Sequence, residues 1–142
     1  MTMRNIYIYN VSVILLAGVL FICNACKRET KDERFRREFQ ELTLKECPKM
    51  LDESTRLDSA SYNIENRTLC YHYTILGSSD DESVYANEKV ITEYRNNILK
   101  GLKGSIQLKR YKDEGITFCY EYRSNKTGKK VIVFSFTQED YN

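Results

Sequence analysis

Two short segments hold the most reactive side chains of this chain in one shared pattern: Leu69-Cys70-Tyr71-His72-Tyr73 and Phe118-Cys119-Tyr120-Glu121-Tyr122. Side chains alternate between the two faces of an extended strand. Cys70 and His72 therefore share a face, and Cys119 and Glu121 share a face of their own strand. If the strands are neighbours in register, all four cluster. Three chemistries are then open. A Cys2His-carboxylate set can hold zinc, but no C-x-x-C or H-x-x-x-H spacing supports it, and no metal is assigned. A Cys70–Cys119 disulfide needs Cβ atoms within about 4.5 Å and would add about 2–4 kcal/mol. Half-buried free thiols are the third reading and the one adopted. A Cys70–His72 nucleophile pair fails on geometry. Two residues apart on one strand, they stand about 7 Å from each other, and no third group orients the base.

His72 is the only histidine, which excludes a multi-His metal centre and any Ser-His-Asp or Cys-His device without it. Neither a G-x-x-x-x-G-K phosphate loop nor a G-x-G-x-x-G fingerprint occurs, so no cofactor is expected. Asp52, Glu53 and Asp58 are close in sequence, but nothing places them in a cleft, and they receive no acid–base role. Lys plus Arg number 22 against 20 Asp plus Glu, a net charge of +2 that argues against nucleic acid as a partner. Lys109, Arg110, Lys112, Lys126, Lys129 and Lys130 either form a basic patch or belong to a solvated face. Tyr71, Tyr73, Tyr120 and Tyr122 either pack a sheet against helices, the reading adopted, or line a recognition surface.

The elements that must position these residues follow from periodicity. Phe35, Phe39 and Leu42 fall at i, i+4 and i+7, one face of a helix that Asp32 can cap and Pro48 should stop near Cys47. Residues 55–62 read as a weak strand, 63–67 as a turn, and 68–76 as a strong alternating strand. Residues 86–102 read as a helix, with Ile91, Tyr94, Ile98 and Leu102 on one face, and Gly101 and Gly104 break it. A short helical piece over 105–113 ends at Gly115. Strands over 116–123 and 131–137 flank a polar turn and should form an antiparallel hairpin. The order α-β-β-α-β-β implies an α+β fold: an antiparallel sheet of about four strands, in two β-hairpins, packed by helices. The likeness of the two cysteine strands reads either as a degenerate duplication of a β-β unit or as chance.

Residues 1–25 read as an address. Arg4 precedes a nearly unbroken apolar run over 11–22, a length that suits a signal peptide and falls short of the roughly 20 residues of a membrane span. An uncleaved anchor over 6–22 and a buried core helix are the alternatives. Cys23-Asn24-Ala25-Cys26 follows and resembles the bacterial lipobox, with Cys23 standing where that motif has Leu. The resemblance makes Ala25 the residue before the cleavage and Cys26 the lipidated N-terminus. Acyl chains such as palmitate then anchor at about 0.8 kcal/mol per buried CH2. Cleavage leaves 117 residues, enough for one core. Residues 26–34 read as a charged, lipidated tether and 35–142 as a single domain. Cys47, Cys70 and Cys119 remain, so one bridge at most can form among them.

Thr55-x-Leu57-x-Ser59, Leu69-x-Tyr71-x-Tyr73, Gly115-x-x-x-x-Tyr120-x-Tyr122 and Phe134-x-Phe136 together resemble a largely uncharacterised group of small secreted proteins and lipoproteins of Gram-negative bacteria. The resemblance covers roughly residues 50–141. It implies compartment and fold, not activity. Members often end near a cysteine, where this chain has Asp140-Tyr141, so a bridge at that end is not expected. Asp58-Ser59-Ala60 resembles the short O-glycosylation signal of some Bacteroidetes envelope proteins. The reading that results is an envelope lipoprotein, of the outer membrane facing periplasm or surface, that binds a protein partner as an inhibitor, immunity factor or accessory subunit. It is not read as an enzyme. His72 and Glu121 on the sheet, or Lys126, Lys129 and Lys130 at the last hairpin, would supply the surface. The alternative is a small-ligand carrier or an enzyme using a cleft between helices and sheet.

Overall fold

The computed structural model describes residues 28–142. The leader, the Ala25 cleavage position and Cys26 lie outside them. Helix α1 spans Lys31–Glu46 and buries Phe35 and Phe39. It begins before the expected domain start at residue 35, so residues 31–34 are helix and not tether. The reason is tertiary. Asp32 accepts hydrogen bonds from Tyr62 Oη (2.6 Å) and Arg67 Nε (3.3 Å), which fixes the charged first turn on the domain.

Strands β1 (Lys49–Met50), β2 (Thr55–Asn63), β3 (Thr68–Ile75), β4 (Thr117–Ser124) and β5 (Lys130–Phe136) form one sheet in chain order. Between β3 and β4 come two 3-10 turns, helix α2 (Glu88–Gly104) and the short helix α3 (Lys109–Asp113). Helix α4 (Gln138–Tyr141) closes the chain. The β2–β3 and β4–β5 hairpins are antiparallel, as the sequence implies. The β3–β4 pair is parallel, which corrects the expectation of a wholly antiparallel sheet. A crossover that contains a helix returns β4 in the direction of β3, and strand alternation is blind to that choice. β1 is a fifth, two-residue strand that no pattern announced.

The parallel register also bears on the likeness of the two cysteine strands. Leu69 pairs with Phe118, Cys70 with Cys119, Tyr71 with Tyr120, His72 with Glu121 and Tyr73 with Tyr122. β3 is the second strand of its hairpin and β4 the first of its own, so a duplicated β-β unit would not make them equivalent. Their shared pattern follows from shared surroundings: two central neighbours with the same faces in and out.

One face of the sheet carries the core. Leu69, Phe118 and Phe136 from the strands meet Leu102 of α2 and Ile116, all fully buried. Asn87 caps α2 by accepting from the Lys89 and Val90 amides. Lys112 Nζ donates to the Leu102 and Lys103 carbonyls at 2.9 and 2.8 Å, satisfying acceptors that the last turn leaves open. Gly115 ends the α3 turn with φ +68°, and a Cβ there would meet Gln138 Oε1 at 2.9 Å. Asp140 and Thr137 form a capping box, and Tyr141 Oη donates to the buried Ile116 carbonyl at 2.8 Å. The chain end is held by packing and capping.

Candidate functional site

The face of the sheet away from the core carries the cysteine cluster. Cys70 and Cys119 stand directly opposite each other with Cα atoms 4.3 Å apart, and the structure pairs them as a disulfide. That departs from the free-thiol reading adopted from sequence, and a bridged pair offers no thiolate to a metal. Cys47 is the free cysteine among the described residues.

Beside the disulfide, Ser61 Oγ lies 3.0 Å from His72 Nε2, and His72 Nδ1 lies 3.5 Å from Glu121 Oε1. Nucleophile, base and carboxylate thus stand in the order of a hydrolytic triad. The surroundings deny it that use. Glu121 is 6% exposed and already bound by Arg123 Nη2 at 2.9 Å and Lys130 Nζ at 2.7 Å. Burial pushes its carboxyl up, but the Lys130 and Arg123 hydrogen bonds outweigh burial and hold it below the usual range. Its charge is therefore spent on two cations rather than on an imidazolium. The cluster reads as a neutralised polar patch.

The structure divides the expected interaction surface. His72, Glu121 and Lys130 share this network, whereas Lys126 is tied elsewhere, its amide donating to Asp80 Oδ2 and its ammonium to the Asp80 carbonyl. Lys129 joins neither group among the described residues. The wider basic patch is also neutralised: Lys109 pairs with Asp113, Arg110 with Glu38, and Lys112 with the end of α2.

The core side of the sheet offers something different. Between α2 and the strands lies a cleft of about 570 Å³. Tyr73, Tyr120 and Tyr122 form part of its lining on the sheet, and Tyr94, Ile98 and Gly101 part of it on α2. The rings are stacked: Tyr73 lies 4.9 Å from Tyr122 and 6.5 Å from Tyr120, centroid to centroid. Their bodies belong to the core, yet among the described residues nothing hydrogen-bonds the hydroxyls of Tyr73, Tyr120 or Tyr122. Burial raises all three phenols, with neighbouring tyrosines adding to the effect, Tyr122 to about 12. They stay neutral O–H donors at physiological pH. The two sequence readings of the tyrosines are therefore both realised, core by ring and lining by hydroxyl. Leu51, half exposed, stands on the hairpin side of the cleft, and Ile106, 87% exposed, lies between the lining residues Ser105 and Leu108 on the other. Sequence reasoning missed Leu51 and Ile106, placed Tyr94 only on a helix face, and read Gly101 as a break, whereas α2 continues through it to Gly104. The visible signal was an isoleucine and a leucine placed in polar turns.

A five-stranded mixed sheet, helices on one face and a tyrosine-lined cleft beneath one of them define a small α+β domain. The chain belongs to the family described as a domain of unknown function, DUF8479, whose model matches residues 30–133. No curated protein matches it. Its fold is similar to that of a Pseudomonas aeruginosa protein described as secreted: 14% identity over 81% of this chain and 99% of that one, with a TM-score of 0.61. It is also similar to a pilotin of the Vibrio vulnificus type 2 secretion system, at 10% identity over 78% and 91% with a TM-score of 0.58. A Vibrio cholerae type II secretion pilotin matches at 11% identity over 77% and 90%, with a TM-score of 0.55. At these identities the likeness is one of fold.

Proposed function

We propose that this chain is an exported accessory protein of the bacterial cell envelope whose cleft receives a segment of a partner protein. The carrying observation is the cleft: four lining tyrosines, bare hydroxyls on Tyr73, Tyr120 and Tyr122, half-exposed Leu51 in its lining and exposed Ile106 next to the lining residue Ser105. A cavity of about 570 Å³ also suits a small ligand, the second reading. A small ligand inside would leave Ile106, which is 87% exposed and outside the lining, in water, whereas a polypeptide extending past the cleft would cover it. Fold likeness to a secreted protein and to two type II secretion pilotins supports an envelope role. The domain acts without catalysis in this reading, which the binding of Glu121 by Arg123 and Lys130 supports.

The anchor is part of the proposal. Cleavage after Ala25 exposes Cys26 for acylation, and the protein then sits on the outer membrane, facing periplasm or surface. A tagged chain purified from detergent-solubilised envelopes tests the binding role against its Gly101→Phe variant. One envelope protein recovered with the wild type and lost with the variant is the expected result. Equal recovery with both contradicts the cleft as the binding surface.

A further inference from the structure

Three features of the cleft say what kind of segment fits it, and they rest on the cleft reading above. First, Asp52 is the one charged side chain among its described lining residues. It sits in the turn between β1 and β2, where its Oδ1 accepts from the Ser54 amide at 2.7 Å and the Ser54 hydroxyl at 2.9 Å. Those bonds hold its carboxyl below the usual range. Among the described residues no Lys, Arg or His pairs with it; Ser54 holds it instead. An ionised, unneutralised carboxylate at the edge of this cleft is complementary to a cation.

Second, Gly101 stands inside α2 and lines the cleft. Its φ is ordinary, and a Cβ there would meet nothing within 4 Å. Glycine inside a helix costs about 1 kcal/mol relative to alanine. No packing in the domain requires that cost, and the missing side chain lets another backbone approach α2. Third, four tyrosines and four aliphatic side chains, Leu51 among them, line the cleft together with the uncharged polar Ser54, Thr55, Asn97 and Ser105, and exposed Ile106 stands next to Ser105 in the chain.

We infer that the cleft receives a polypeptide segment with an aliphatic face, that this segment lies against the α2 backbone at Gly101, and that it places a lysine or arginine beside Asp52. Asp52 sets specificity, and Gly101 provides the room.

A displayed library of random 16-residue peptides, selected on the full domain, tests this. Selected peptides are then measured by fluorescence anisotropy against wild type, Gly101→Phe and Asp52→Asn. Gly101→Phe fills open space in a helix, and Asp52 is exposed, so both variants should fold; circular dichroism checks that. The expected result is enrichment of peptides with aliphatic residues and a Lys or Arg. Gly101→Phe abolishes their binding, and Asp52→Asn weakens it about fivefold, an effect that shrinks in high salt. Peptides blocked by Gly101→Phe but indifferent to Asp52→Asn overturn this inference and leave the cleft reading standing. Peptides that bind Gly101→Phe as well as wild type overturn both. A stoichiometric lipid extracted from the purified domain, and displaced by Gly101→Phe, also overturns the inference.

Discussion

Thr43 joins helix α1 to the sheet by a contact that a single substitution can isolate. Its hydroxyl donates to the Ala60 carbonyl at 2.9 Å and accepts from the Ala60 amide at 2.8 Å. β1 pairs with β2 only at Leu57 and Arg56, so Ala60 lies beyond the end of that ladder. Ala60 is 4% exposed, and water cannot readily replace the bonds. The Thr43 side chain thus does the work of a missing neighbouring strand. Thr43→Val keeps the shape and the helix propensity and removes both bonds. At about 1 kcal/mol for each, the variant should lose about 2 kcal/mol of stability, which lowers the melting temperature by about 8 °C for a domain of this size. Thr43→Ser keeps the hydroxyl and should lose less than half as much. Urea unfolding followed by far-UV circular dichroism measures both, with an unchanged slope showing that the two-state comparison is fair. A Thr43→Val domain within about 0.5 kcal/mol of wild type would refute the reasoning.

Other expectations follow from the open face and the leader. Glu121→Gln should destabilise the domain by about 1–2 kcal/mol at neutral pH, because buried Glu121 neutralises Lys130 and Arg123. The folded carboxyl titrates below its unfolded value. Its contribution is therefore present above the unfolded pKa and lost as pH falls through the folded one. The wild-type advantage should shrink from about pH 5 downward, and a difference constant with pH contradicts it. Thiol counting on the denatured, unreduced domain should find Cys47 alone, and three thiols would show Cys70 and Cys119 unbridged. Reduction should cost up to about 4 kcal/mol, the chain-entropy value for a bridge spanning 49 residues. Labelled palmitate should enter the wild-type chain in cells and not Cys26→Ser, and equal labelling contradicts lipidation.

Much of this architecture is legible in the periodicities. The 3.6-residue spacing of Ile91, Tyr94, Ile98 and Leu102 marks α2, and alternation marks both hairpins and places Cys70 with His72 and Cys119 with Glu121. What alternation cannot carry is direction: a strand has the same faces whether its neighbour runs with it or against it. The parallel β3–β4 pair was therefore hidden, although the helix between the strands was the cue to it. The charged start of α1 was hidden for another reason. Asp32 is held by Tyr62 and Arg67, 30 and 35 residues away, and local composition knows nothing of them. The cleft was hidden most deeply. It arises where tyrosines of two strands face a helix that carries a glycine on its open side, and only the assembled fold brings Gly101, Tyr120 and Asp52 to one cavity.

Site-specific photocrosslinking in cells distinguishes the cleft from the opposite face of the sheet as the partner's seat. A benzophenone amino acid replaces Ile106, 87% exposed at the cleft rim, or Val133, 51% exposed on the opposite face beside Glu121. A defined adduct with one envelope protein is expected from position 106 and none from position 133. An adduct from position 133 with position 106 silent would place the partner on the other face and contradict the cleft reading.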